Sequence, residues 1–283
     1  MQWRGRRESG NIEDRRGITG GHVAFGGIGG LIIAAVIYFL GGDPNQVLQQ
    51  TMPDQSQQSG YVDNANDTLK NYIGVVLADT EDVWDSLFNS MNKQYTHPTL
   101  VLFSGETQAG CGNANAATGP FYCPADEKVY IDLSFFNELS SRFGASKGDF
   151  AMAYVLAHEV GHHVQNLLGI TDKVDAMHAR MTKESYNKMS VKLELQADFF
   201  AGIWAHYDQQ MKHVLDAGDN DEALSAASAV GDDRLQKESQ SYVVPDAFTH
   251  GTSVQRMYWF KKGYDTGDIN QGDTFSATSL SMN

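Results

Sequence analysis

Apolar positions recur at helical spacing over residues 62–91. Leu69, Tyr72, Ile73, Val76 and Leu77 form one stripe, and Val83, Trp84, Leu87 and Phe88 another. Residues 98–103 are a short apolar run with strand character, and residues 128–133 alternate, predicting a second strand. A Gly-, Ala- and Asn-rich stretch over 105–125 reads as a loop between them. Helical spacing returns over 148–168, where Gly169 is the stop signal, and again over 190–207, 221–236 and 252–262. Helices dominate and the strands precede the central helix, which predicts an α+β fold, helix-rich with a small sheet. No internal repeat is present.

The N-terminal end has a different texture. Residues 1–20 carry five arginines against three acids, and residues 17–42 carry no charged side chain. The run from Phe25 to Leu40 is apolar and ends in Gly41-Gly42-Asp43-Pro44. A spanning helix needs about 20 apolar residues, so 21–42 reads as one N-terminal transmembrane helix. A cleaved signal peptide is the first alternative, but it lacks a small-x-small cleavage site. A soluble buried helix is the second. Residues 43–60, rich in Gln, Ser and Pro, read as a flexible tether. The expected organisation is therefore a cytoplasmic basic segment (1–20), an anchor (21–42), a linker (43–60) and one domain (61–283). Arginines ahead of the anchor favour a cytoplasmic N-terminus, with the bulk of the chain outside.

Charge narrows the partners. The 283 residues carry a formal net charge of −14, which repels phosphate and argues against nucleic acid. Two cysteines, Cys111 and Cys123, are too few for a disulfide scaffold but enough for one bridge. If the domain is exported, both thiols sit in an oxidising space and a bridge is expected.

The chemistry concentrates in Ala157-His158-Glu159-Val160-Gly161-His162-His163-Val164. His158 and His162 stand four apart, one turn along one helix face, where two neutral imidazoles can hold a zinc ion. Glu159 is offset around the helix, placed to act on a metal-bound water as general base. A catalytic zinc takes three protein ligands. His163 points elsewhere on the helix and is expected either at the surface or just behind the ligands, and His178 lies in a polar segment. Glu194 and Asp198, four apart on an otherwise apolar helix, are stronger candidates, since buried carboxylates need positive charge or metal. Glu194 is assigned as third ligand and Asp198 as the acceptor that orients a zinc-bound His, with the reverse assignment open. His250 is the candidate oxyanion donor, with Tyr242 and Arg256 behind it. Residues 129–133 are the candidate edge for pairing with an extended substrate.

These residues resemble a known family. H-E-x-x-H followed by E-x-x-x-D on a later helix is the gluzincin pattern. Gly119-Pro-Phe-Tyr-Cys-Pro124, Val129-Tyr-Ile-Asp132, His158 to Gln165, Glu194-Leu-Gln-Ala-Asp198 and Thr249-His-Gly-Thr-Ser253 resemble the bacterial membrane-anchored neutral zinc metallopeptidase family. The resemblance implies a zincin-like fold, one zinc per chain, a peptide or protein substrate, and a catalytic domain held at the outer face of the bacterial inner membrane. Members carry cysteines near positions 199 and 272, where this chain has Phe199 and Gly272. The rival reading is a zinc-binding but inactive envelope scaffold.

Overall fold

A computed structural model describes residues 1–16, 64–146, 148–178 and 180–276. The expected anchor (21–42) and linker (43–60) lie outside the described residues. No helix among the described residues is long and apolar enough to cross a membrane. The described chain is helix-rich α+β, as its hydrophobic pattern predicts.

Helix α1 (Asn64–Ser90) buries both stripes read from the sequence, Leu69 only in part. It also buries Asp79, Thr80 and Glu81, which an amphipathic helix would leave wet. The reason is the N-terminal segment, which lies across that face. Arg6 meets Asp79 at 2.5 Å, Arg7 meets Glu81 and Asp82 at 3.1 and 2.7 Å, and the Asn11 amide donates to Glu81 at 2.8 Å. Strand β1 (Ile12–Asp14) then pairs in parallel with β2 (Thr99–Phe103). Residues 1–16 are thus part of the folded body rather than a separate basic segment. Their arginines neutralise acids of α1.

The remaining strands are β3 (Glu106–Ala109), β4 (Gly112–Asn115), β5 (Phe121–Cys123) and β6 (Lys128–Asp132). The main sheet has the order β1-β2-β6-β5, with β5 antiparallel to β6, and β3 and β4 form a separate hairpin. Residues 129–133 are therefore not the edge: β6 is hydrogen-bonded on both sides, and the edge beside the helices is β5. The loop expected over 105–125 contains the hairpin and that edge strand. Cys111 and Cys123 are bridged, tying the β3–β4 turn to β5.

Helix α2 (Ser134–Ser141) leads to the central helix α3 (Asp149–Leu167), which ends where predicted, at Gly169 with φ +68°. Helix α4 (Ile170–His178) is followed by α5 (Lys183–Lys212), longer at both ends than its apolar pattern. A Thr182 cap and a left-handed His213 set its limits. The single helix expected over 221–236 is two, α6 (Asp219–Ala229) and α7 (Asp232–Gln240). The break falls at Gly231, whose Cβ, if present, would lie 2.4 Å from the Ser253 nitrogen. Asp232 and Asp233 then reach across to the backbone N–H groups of residues 249–251 and 253. Helix α8 (Ser253–Thr266) starts from a Thr252/Gln255 capping box.

Close backbone approach fixes the helices that carry the polar residues. A Cβ on Gly161 of α3 would sit 2.8 Å from the Ala197 carbonyl oxygen of α5. Gly202 of α5 and Gly263 of α8 allow the same intimacy, since a Cβ on either would fall 2.1–2.2 Å from a carbonyl oxygen across the contact. Phe199 and Gly272 are neighbours: a Cβ on Gly272 would lie 2.5 Å from the Phe199 ring.

Candidate metal centre

Helix α3 is almost wholly apolar on its buried side, so its polar residues enter the core only where they find partners. His158 and His162 project from successive turns, their rings 4.8 Å apart and nearly perpendicular. Glu194 of α5 faces both. His158 Nε2 lies 3.1 Å from one carboxylate oxygen and His162 Nε2 lies 3.4 Å from the other. Ligand atoms of the three residues lie within 4.8 Å of one another. Ligands held 2.0–2.1 Å from a tetrahedral zinc stand about 3.3–3.4 Å apart, so the spacing fits such an ion.

The other ring nitrogens are committed. His158 Nδ1 donates to Asp198 Oδ1 at 2.8 Å, and His162 Nδ1 donates to Gln165 Oε1 at 2.9 Å. Both Nε2 atoms are thereby turned toward the shared position, the arrangement that orients metal-bound histidines. Asp198 is fully buried and balanced by Arg256 of α8 through contacts of 2.8 and 2.9 Å, with the Tyr154 hydroxyl donating at 2.5 Å. Gln165 is itself held, its amide donating to the Leu193 carbonyl at 2.7 Å and to Gln196 at 3.1 Å.

Titration follows from these contacts. Burial pushes the His158 pKa down, but the Asp198 carboxylate, helped by Glu194, outweighs it and carries it to about 10. Burial pushes Glu194 up, yet the two imidazoles hold it well below the usual carboxylate range. Asp198 is lowered because Arg256 and His158 overcome its burial. A metal at this position therefore competes with the proton on His158.

Above the three residues opens a cleft of about 620 Å³. Glu159, His250 and Tyr122 line it, together with an apolar wall that includes Phe135, Phe143 and Leu235. Among the described residues no hydrogen bond or ion pair engages the Glu159 carboxylate. His250 is half exposed, and its Nδ1 lies 3.1 Å from Asp232 Oδ1. Burial lowers the His250 pKa, but the Asp232 hydrogen bond prevails and raises it.

Most candidate residues thus come together: His158, Glu159, His162, Glu194 and His250 share the cleft, and Asp198 lies behind His158. Glu194 faces both imidazole Nε2 atoms, and Asp198 stands on the far side of His158. Others go elsewhere. Tyr242 is 62% exposed and lies off the cleft wall. Arg256 does line the cleft, but it is 3% exposed and clamps Asp198 behind His158. His178 packs against Tyr186. His163 is fully buried, so of the two placements expected of it the surface one fails, and burial pushes its pKa down to about 4. Three contributors escaped the sequence reading: Gln165, Asp232 and Tyr154. Gln165 had a usable signal, standing three residues after His162 on the same helix.

The chain has relatives among known proteins. The chain is 49% identical over 285 residues to the uncharacterized protein YpfJ of Escherichia coli, covering 97% of this chain and 99% of that one. It is 44% identical over 205 residues to the uncharacterized protein Rv2575 of Mycobacterium tuberculosis, covering 69% and 68%. No solved structure matches the chain. Residues 1–275 match the family described as "Putative neutral zinc metallopeptidase", and the chain belongs to that family.

Proposed function

We propose that this protein is a zinc-dependent metallopeptidase that hydrolyses peptide bonds with a metal-activated water. One observation carries the reading. His158 Nε2, His162 Nε2 and the Glu194 carboxylate converge beneath a cleft whose wall presents the unengaged carboxylate of Glu159. His158, His162 and Glu194 would hold the ion. When bound, zinc supplies a Lewis acid that acidifies its water and polarises a carbonyl. Glu159 takes the proton of the attacking water and returns it to the leaving amine. His250 favours its charged form through Asp232, so its Nε2 can donate to the developing oxyanion. Tyr154, Arg256 and Asp198 keep His158 in the tautomer that frees Nε2. The apolar wall would receive substrate side chains, and the open edge of β5 suits an extended peptide.

The bridge between Cys111 and Cys123 supports a setting outside the cytoplasm for the folded body. Membrane contact through residues 21–42 belongs to the same proposal.

The test is Glu159→Gln. Intact protein with one zinc per chain should cleave a quenched-fluorescence peptide library and lose that activity to a chelator. Glu159→Gln should keep the zinc and lose cleavage. Full hydrolysis by Glu159→Gln with zinc bound would overturn the mechanism. One zinc with no cleavage by the intact chain would favour an envelope scaffold.

A further inference from the structure

The second histidine of the His162-His163 pair has no part in the chemistry above, yet it is wholly buried and fully bonded. Its Nε2 lies 2.6 Å from the Thr96 carbonyl, just ahead of β2, and its Nδ1 lies 3.0 Å from the Tyr122 hydroxyl. A carbonyl only accepts, so Nε2 donates, and Nδ1 takes the phenol's proton. The Tyr122 oxygen accepts in turn from Asn166 Nδ2 at 3.2 Å.

Tyr122 is the middle residue of β5. Strand alternation sends its neighbours to the other face, where Phe121 stacks on Tyr130 with ring centroids 4.9 Å apart and Cys123 is bridged. Tyr122 alone therefore reaches toward α3. Pairing with β6 spans three residue pairs, short for a strand that must hold its place on ladder bonds alone. The same strand lines the cleft, and among the described residues its outer edge has no partner strand.

We infer that His163, Tyr122 and Asn166 form a clamp that fixes β5 against α3 and so sets where an extended peptide lies relative to the zinc ligands. His163 is a positioning residue in this account, and the inference rests on the peptidase reading. Because His163 directly follows the ligand His162, the edge strand and the metal position move as one unit. Tyr122 cannot also serve as oxyanion donor, since its proton is committed to His163.

The experiment uses the full zinc-loaded chain with Tyr122→Phe, His163→Phe and the double change. Tyr122→Phe keeps the ring and serves if His163→Phe does not fold. Two readouts are taken: amide hydrogen exchange of residues 119–125, and the split of KM from kcat on a quenched peptide. Expected are at least tenfold faster exchange over 119–125 with exchange in α3 and zinc content unchanged. KM should rise three- to tenfold with kcat within twofold, and the double change should be no worse than either single one. Unchanged exchange over 119–125 overturns the clamp whether or not the protein is active. Faster exchange with KM unchanged overturns the positioning role. Absence of any hydrolysis by the unaltered chain defeats the peptidase reading instead, while exchange still decides the clamp.

Discussion

Asp198→Asn separates metal orientation from fold stability. The native carboxylate is fully buried and touches Arg256 twice, His158 once and Tyr154 once. Neutralising it leaves a guanidinium, itself only 3% exposed, in the core beside His158 with no full counter-charge on Asp198. Breaking a buried pair by removing one partner costs about 3–5 kcal/mol. The amide oxygen still accepts from His158 Nδ1, but the charge that strengthens that bond is gone. Loss of such an orienting partner lowers metal affinity about 10–100-fold, which is about 1.4–2.7 kcal/mol. Urea unfolding of metal-free protein reads the first effect, and competition with a chelating zinc indicator reads the second. Adding Arg256→Met should recover most of the stability, because a buried pair replaced by apolar groups is near neutral. It should leave the zinc deficit in place. If Arg256→Met restores zinc affinity together with stability, Asp198 acts on the metal only through the fold and the orienting argument is refuted.

Two further outcomes follow from packing and from titration. Gly161→Ala gains helix propensity of about 1 kcal/mol but drives a Cβ to 2.8 Å from the Ala197 carbonyl oxygen; overpacking of about 1–3 kcal/mol should prevail, so the unfolding midpoint and the zinc affinity both fall, and an unchanged midpoint would show that α3 and α5 separate freely. Burial, with Asp79 nearby, raises Asp208 to about 7, and Lys212 only partly opposes it. An acid raised on folding lends stability while protonated, and that contribution fades as pH climbs from about 4 to 7. Asp208→Asn should therefore raise the melting temperature at pH 8 and change it little at pH 4; identical pH profiles for both proteins would contradict the assignment.

Local signals carried much of the fold. The apolar stripes of α1, the runs that became β2 and β6, and the Gly169 stop are written in neighbouring residues. The spacing of His158, Glu159 and His162, and of Glu194 and Asp198, needs only a helix to bring each set to one face. What stayed hidden depends on distant partners. Ile12-Glu13-Asp14 is three residues in a charged segment and becomes a strand only because β2 offers it an edge. The arginines at 6 and 7 read as a flank of an apolar run, whereas their partners Asp79, Glu81 and Asp82 sit on α1. Helices α6 and α7 share one continuous pattern, and the break arises from contact with residues 249–253. Arg256 reads as a reserve oxyanion donor behind His250 because nothing local reveals that Asp198 claims it.

The parallel pairing of β1 with β2 also bears on how the body is held together. Arg16 lies 3.6 Å from Asp67, and Lys70 lies 3.0 Å from Asp14. Residue 16 thus lies beside the first turn of α1. Removing residues 1–16 would therefore bare the edge of β2 and strip Asp79, Glu81 and Asp82 of Arg6 and Arg7, so the first sixteen residues act as a built-in seam that closes the sheet and neutralises α1 at once.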